Sequence, residues 1–358
     1  MAVATLNGAR NTIPSFITST GPVREARFIF VPGTGILDGG VHALFVISGR
    51  VDPGGASAAN CNITQDDFAT QVSNGNVIFR IPTPIFGMGL VESITDAALR
   101  ANIAANGTTK SNLGISGTLN TNGNDGTVTR FGWKAQNKSG LLFAGEAYNV
   151  EMGITNELFT QERDETASCQ FSTVPNDIQD TNATTAIDAT PAILKFANFQ
   201  RFSAPPTPVT SYTSSVVGSV SSTSINAGKT VFNNIGCNLC HTPSLTTNPS
   251  ATVTAFRNKT VNAFSDFGTH DMGPGLADGV IQGHSEGDEF RTAPLWGLGQ
   301  RIFFLHDGRT KNLITAIQEH KSAGNAIFGP SEANAVVDNF NASSATDQQN
   351  LLNFLRSL

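Results

Sequence analysis

The chain has 358 residues, 39% hydrophobic and 14% charged, with 35 Gly and a net charge of −6. That is enough for two globular domains, and it excludes a small disulfide scaffold, a charged disordered tail and a coiled coil. An acidic balance without a Lys/Arg stripe argues against nucleic-acid binding, since neutralising phosphates takes clustered cations.

Residues 1–200 read as one loop-rich α+β domain. Its first twenty residues lack the charged start and apolar middle of an export signal. Val77 to Pro82 is strand-like, and the Gly87-Met88-Gly89 turn leads into a predicted helix from Val91 to Ile103, ending near Asn106-Gly107. From Gly107 to Val128, Gly, Asn and Thr broken by a few aliphatics predict turns and a hairpin. Phe202 to Ser224 is uncharged and rich in Pro, Ser and Thr, so residues 201–223 read as a linker or domain crossing. Residues 224–358 form the second domain. It opens on a helix with Gly228 and Phe232 four apart on one face, and closes on an amphipathic helix carrying Leu351, Leu355 and Leu358. No run of about 18 apolar residues occurs in the chain, which argues against a membrane-spanning helix.

The chemistry-bearing signal is Cys237-Asn-Leu-Cys240-His241. Two cysteines three apart with a histidine directly after them match the attachment signature of c-type haem, both sulfurs forming thioethers and His241 binding the iron. A zinc site would need a second Cys/His pair at ligand spacing, which the sequence lacks. A helix at each end of a domain built around haem is the plan of class I cytochromes c. The expected fold class is therefore mixed: mainly α with irregular loops and short β, a cytochrome c-like helical domain following the α+β, loop-rich one. Haem c is fitted outside the cytoplasm in bacteria, so the expected location is periplasmic or secreted, the export signal being absent from this chain.

The opposite face of the iron draws on His270, Met272, His284, His306 or His320. Between Lys311 and His320, helical spacing sets Leu313, Ala316 or Ile317, and His320 on one apolar face, pointing His320 inward as a ligand or as a core histidine. Arg291 and Arg309 are candidates to pair with haem propionates, since a guanidinium suits a carboxylate, with a surface role the alternative. Trp133 and Trp296 are read as aids to electron tunnelling or as packing against haem or core. Cys61 and Cys169 form one disulfide in an oxidising compartment, two buried thiols being the alternative.

The segments Phe264 to Asp278, Phe290 to Gly299 and Leu305-His-Asp-Gly-Arg309, together with Arg130-Phe-Gly-Trp-Lys134 and Val150-Glu-Met-Gly-Ile-Thr155, resemble the bacterial di-haem oxidoreductases. These thiol oxidoreductase-like proteins are related to di-haem cytochrome c peroxidases. The resemblance implies that the distal ligand of the C-terminal haem lies fourteen residues after the His of the His-Asp-Gly turn. Counting from His306 gives His320, so the expected iron ligands are His241 and His320, with Met272 the runner-up. His306 and Trp296 join Cys237, Cys240, Arg291 and Arg309 as expected cofactor contacts.

The resemblance also implies peroxide chemistry at another haem in the N-terminal domain, near a Glu in a Val-Glu-Met-Gly setting, here Glu151, the expected catalytic residue. The relatives' Gln ten positions earlier is Leu141 here. Their first C-x-x-C-H lies upstream of a segment like Ala2 to Arg10, so the chain is expected to begin after that motif, with a second haem in full-length relatives and His42 an orphaned ligand or a strand histidine. The Thr and Pro that frame calcium in the peroxidases are Arg301 and Phe303.

The function read from this is haem electron transfer as part of a peroxidase-like di-haem oxidoreductase, exchanging electrons with a redox partner protein. The alternative is a non-catalytic mono-haem cytochrome or partner-binding module. Homo-oligomerisation is left open.

Overall fold

The computed structural model describes residues 13–44, 64–163, 169–170 and 173–358. They fall into two compact units: described residues up to 82 with 141–198 and 306–308, and residues 83–140 with 199–305 and 309–358. Both units are discontinuous, so the linear cut at residue 200 does not coincide with theirs. The reason is local: Thr118 bridges Thr269, and the Ser116 hydroxyl donates to Glu332, tying 83–140 to the C-terminal half.

The architecture is rich in helix, with small antiparallel sheets. In the first unit β1 (Glu25–Phe28) is flanked by β2 (Val41–His42) and, further along the chain, β3 (Val77–Arg80), with Ala26 opposite His42 on one side and Phe79 on the other. Helix α1 (Phe68–Ser73) is capped by Asp67, whose carboxylate accepts the Thr70 N–H at 3.1 Å. Ala26, Phe28 and Phe68 are buried, with Phe16, Leu44, Val77 and Phe79 packed against them.

The helix predicted over 91–103 is two helices, α2 (Met88–Glu92) and α3 (Asp96–Ala104). Ser93 Oγ bonds back to the Gly89 carbonyl at 2.7 Å and Thr95 Oγ1 caps α3 through the Ala98 N–H at 3.1 Å, so one helix stops and another starts. Residues expected to form turns include α4 (Gly107–Asn112), entered through left-handed Asn106 at φ 59°. Lys110 Nζ donates to the Ile103 carbonyl at 2.8 Å and so satisfies the end of α3. A bridge between Thr121 and Val128 supplies the hairpin. Helices α5 (Gly140–Met152), α6 (Ala186–Ala189) and α7 (Ala192–Phe202) follow.

The uncharged 201–223 stretch holds a hairpin of β4 (Tyr212–Ser214) and β5 (Gly218–Val220). Val209 N–H donates to the Ser357 carbonyl at 2.8 Å, and the Tyr212 hydroxyl to that of Asn353 at 3.4 Å. It is thus packed within the second unit rather than free in solvent.

Next come α8 (Ser222–Ile235), β6 (Leu245–Thr246), β7 (Thr260–Val261), β8 (Thr269–Asp271), β9 (Glu289–Arg291), α9 (Leu313–Gln318), α10 (Asn334–Ala342) and α11 (Ala345–Ser357). Helices α8 and α11 start on serine caps, Ser221 and Ser344. They pack so closely that a Cβ on Gly228 would stand 1.9 Å from the Asn350 carbonyl oxygen. Around this contact Phe232, Phe264, Leu313, Ala316, Leu351, Phe354 and Leu355 are buried in one core, with Cys237, Leu295, Leu298, Leu305 and Ile317 packed against it. Each large side chain so buried contributes about 1.5–3 kcal/mol. Among the described residues, no helix is long and apolar enough to cross a membrane.

Candidate functional site

Helix α8 ends at Gly236, whose φ of 102° is open to glycine but costly for other residues. The chain then makes a 3-10 turn over Cys237–Leu239, and His241 N–H donates to the Cys237 carbonyl at 2.9 Å. Cys237 and Cys240 are free, half-buried thiols. Burial, reinforced by the neighbouring Cys240, pushes the Cys237 thiol up to about 12.

His241 donates from Nδ1 to the Phe264 carbonyl at 2.9 Å. Phe264 sits at φ 52°, a conformation costing a non-glycine residue on the order of 1 kcal/mol. It is held there by edge-on contacts to Phe232 and Phe354, with ring centroids 5.9 and 5.6 Å away. His320 lies just past the end of α9 and donates from Nδ1 to the Ala316 carbonyl at 2.7 Å, one helical turn back. Helix α9 is positioned by Asn312, whose side chain caps the Ile314 and Thr315 N–H groups.

Neither His241 nor His320 has a hydrogen-bond partner at Nε2 among the described residues. A carbonyl on Nδ1 fixes the tautomer and leaves the Nε2 lone pair outward, the arrangement of a metal-ligating imidazole. Burial pushes His241 down to about 4, opposed by the Phe264 hydrogen bond and helped by the His320 imidazole. Burial likewise lowers His320. Both rings are thus in the neutral form that a metal requires.

The other candidates for the distal ligand are placed differently. Both ring nitrogens of the buried His270 face carboxylates, Nδ1 toward Glu332 at 2.6 Å and Nε2 toward Asp266 at 3.0 Å. Burial opposes its charge, but Cys240 and Asp266 outweigh burial and raise its pKa well above the ordinary value, which makes it an imidazolium without a lone pair to give. Cys240 Sγ lies 3.6 Å from its Nδ1, and Cys240, Asp266 and His270 have donor atoms within 4.8 Å of one another. Such a trio could hold a metal ion, yet Glu332 already occupies the ring nitrogen nearest the sulfur. Met272 is buried and His284 exposed. His306 is buried and belongs to the first unit, where its carbonyl accepts the Ile81 N–H at 2.7 Å.

Trp296 is buried edge-on to Phe86, centroids 6.4 Å apart, and Trp133 is buried with its carbonyl accepting the Arg291 N–H at 2.8 Å. Arg291 is buried, its Nε donating to the Gly132 carbonyl at 2.7 Å. Arg309 is exposed and paired with Glu319 at 3.0 Å, so its guanidinium is directed to a protein carboxylate. Glu151 lies in the last turn of α5, exposed, in the first unit. Partial desolvation and the Glu25 and Glu146 carboxylates raise its pKa, against Arg27. His42, read as an orphaned ligand, has both ring nitrogens on carboxylates, Asp66 at 2.8 Å and Asp38 at 2.9 Å, and stacks on Phe28. Cys169 is disulfide-bonded; Cys61, its expected partner, lies outside the described residues.

Sequence reading missed the His270–Asp266–Glu332 cluster. Asp266 and His270 at i, i+4 are a visible hint, but Glu332 is 62 residues away and carries no local signal. It also missed Lys134, fully buried with Nζ 3.2 Å from Asp278 and 4.0 Å over the Phe290 ring.

Comparison with known proteins gives one family match: the model described as "Di-haem oxidoreductase, putative peroxidase" matches residues 38–358. No curated protein and no solved structure matches the chain.

Proposed function

The chain belongs to the di-haem oxidoreductase, putative peroxidase family, a family of haem-dependent redox proteins, and from that premise we propose that its second unit is a cytochrome c-like electron relay. Haem c is attached through Cys237 and Cys240 and held by His241 and His320. The observation that carries this reading is the pair of half-buried, neutral imidazoles whose Nδ1 atoms are tied to backbone carbonyls and whose Nε2 atoms have no protein partner among the described residues.

The donor set fits the group: two thiols on one turn, two imidazoles with free lone pairs, and an apolar core against which Cys237 and Ile317 pack. When bound, the haem supplies one-electron chemistry. The Phe264 and Ala316 carbonyls keep each proton on Nδ1 and fix the plane of each ring. With His241 and His320 both holding the iron, the haem would have no place left for peroxide, and the chemistry it would supply here is electron transfer. Arg291 and Trp296, both buried in the second unit, would contact the cofactor; of the other contacts expected from the sequence, Arg309 is engaged by Glu319 and His306 sits in the first unit. Peroxidase-like catalysis is assigned to a second haem near Glu151 of the first unit, in the periplasm or secreted, with a redox partner protein as electron donor or acceptor.

The mono-haem alternative is favoured by one observation: Leu141 stands in α5 where peroxidase relatives carry a Gln, and Glu151 ten residues on is exposed. A pyridine haemochrome assay and intact mass on the matured protein isolated from its source cells separate the two readings. Two haems per chain support the di-haem enzyme and one supports the relay alone; no covalent haem on Cys237 and Cys240 rejects both.

A further inference from the structure

His320 stands two residues past Gln318, the last residue of α9. A side chain beyond the end of a helix keeps a fixed direction only where other contacts lock the backbone that carries it. Here the lock comes from the residues that lead into α10. The hydroxyl of the buried Ser331 donates to the His320 carbonyl at 2.6 Å, and the Ser331 N–H donates to the Ser322 carbonyl at 3.0 Å. Asn334 completes the grip through two bonds with the Ser322 backbone, accepting its N–H and donating to its carbonyl, both at 2.9 Å. The 272–275 loop closes on the same stretch. The Gly275 N–H donates to the Ser322 hydroxyl at 3.0 Å, and Gly273, at φ 65°, passes so close that a Cβ there would stand 3.1 Å from the Ser331 nitrogen.

The residue after Ser331 reaches a different partner. Glu332, only 7% exposed, accepts the Ser116 hydroxyl at 2.5 Å and the Gly117 N–H at 3.1 Å, and His270 Nδ1 lies 2.6 Å from its carboxylate. His270 Nε2 is tied in turn to Asp266, whose N–H donates to the Cys240 carbonyl at 2.9 Å, and Cys240 Sγ is 3.6 Å from His270 Nδ1. Gly117 packs so close to the His270 ring that a Cβ would stand 2.6 Å from Cε1. Two consecutive side chains thus join the backbone of His320 to the Cys237–His241 turn, and every link in the chain is a direct contact. A buried ion pair such as His270–Glu332 adds little net stability over apolar packing, and its best-attested use is to fix register. We propose that Ser331 and Glu332 are positioning residues for His320, a clasp that holds its imidazole in register with the haem-attachment turn. This rests on the haem reading above; neither residue supplies a ligand, and they act through His320 and His270.

The test uses matured holoprotein and the variants S331A, S331T, E332Q and K321Q, read by visible and EPR spectra and by the rate of carbon monoxide binding, with denaturation of the haem-free chain measured alongside. Lys321 follows His320 directly but pairs with Asp338 on the exposed surface, so K321Q is the control. Loss of a group that orients a ligand costs about 10–100-fold in metal affinity. S331A is therefore expected to raise the high-spin fraction and to speed carbon monoxide binding about 10–100-fold. E332Q is expected to do the same to a smaller extent, since a carboxamide still meets Ser116 and His270; S331T restores the low-spin iron, and K321Q changes neither. A Ser331 that only stabilises the fold would lower the denaturation midpoint of haem-free S331A and leave its holoprotein low-spin and closed to carbon monoxide. That result overturns the clasp while the haem reading stands. If S331A opens the iron and E332Q does not, the part assigned to Glu332 is overturned. Should S331A fail to fold, E332Q decides against K321Q, and an unchanged spectrum and rate overturn the clasp. Absence of covalent haem, or a high-spin iron, in the unmutated protein defeats the haem reading and the clasp with it.

Discussion

Four histidines of this molecule, His270 buried and His42, His241 and His320 half-buried, fall into two kinds. In the first unit His42 is gripped at both ring nitrogens by Asp38 and Asp66, and in the second His270 is gripped likewise by Asp266 and Glu332. His241 and His320, by contrast, hand one nitrogen to a backbone carbonyl and keep the other without a partner among the described residues. The pKa directions divide in the same way, raised for His42 and His270, lowered for His241 and His320. A carboxylate sandwich makes a structural cation; a carbonyl on Nδ1 inside an apolar core makes a neutral ligand. The type of second partner therefore separates scaffold from site more sharply than burial, which all four share in some degree.

The comparison can be strained most severely at His270. Replacing it by Leu strands two buried carboxylates, so His270→Leu is expected to destabilise the protein by about 3–5 kcal/mol in chemical denaturation. His320→Leu, measured on the haem-free chain, leaves no charge unpaired and should cost far less. Equal losses from the two substitutions would erase the distinction.

The acid limb is set by the same cluster. Burial alone would raise Glu332, but His270, Ser116 and the Gly117 N–H hold it down to about 2. Its stabilisation is then complete above the ordinary carboxylate range and lost as pH falls from there toward 2. Glu332→Gln should flatten denaturation midpoints between about pH 5 and 2, a window read directly from the shift.

At the sequence level, the site was legible where spacing encodes it. Cys237, Cys240 and His241 of the proposed site lie within one five-residue stretch, the apolar face of α9 points to His320, and the resemblance to the di-haem oxidoreductases adds its separation from His306. The terminal helix was visible through Leu351, Leu355 and Leu358, which the structure buries. What was not legible depends on long-range contacts. Glu332 reaching His270, Arg309 turning to Glu319 while Arg301 stays unpaired among the described residues, and residues 83–140 joining the C-terminal half follow from tertiary pairing that no local pattern records. Helix α4 was hidden by Gly, Thr and Asn, poor helix formers that hold a turn here while Lys110 reaches back to α3.

His42 gives a smaller effect of opposite sign. Burial lowers its pKa, but Asp66 and Asp38 outweigh that and raise it above 6.5. The stabilisation is full below about pH 6.5 and disappears as pH rises through the raised value. Because the ring is partly exposed the contribution is at most about 1 kcal/mol. Thermal melts of His42→Gln and the unmutated chain should differ at about pH 5.5 and converge at about pH 9. The smallest effect is at Arg309 and Glu319, an exposed pair that a double-mutant cycle should value at about 0–1 kcal/mol.

The central claim is that His320 supplies the second free lone pair of the site. Its most direct test is the visible and EPR spectrum of matured His320→Ala, with Met272→Leu as the comparison. The account predicts that the unmutated protein is low-spin, that His320→Ala turns high-spin and gains carbon monoxide binding, and that Met272→Leu leaves the spectrum unchanged. A low-spin spectrum that survives His320→Ala and is lost in Met272→Leu would contradict it.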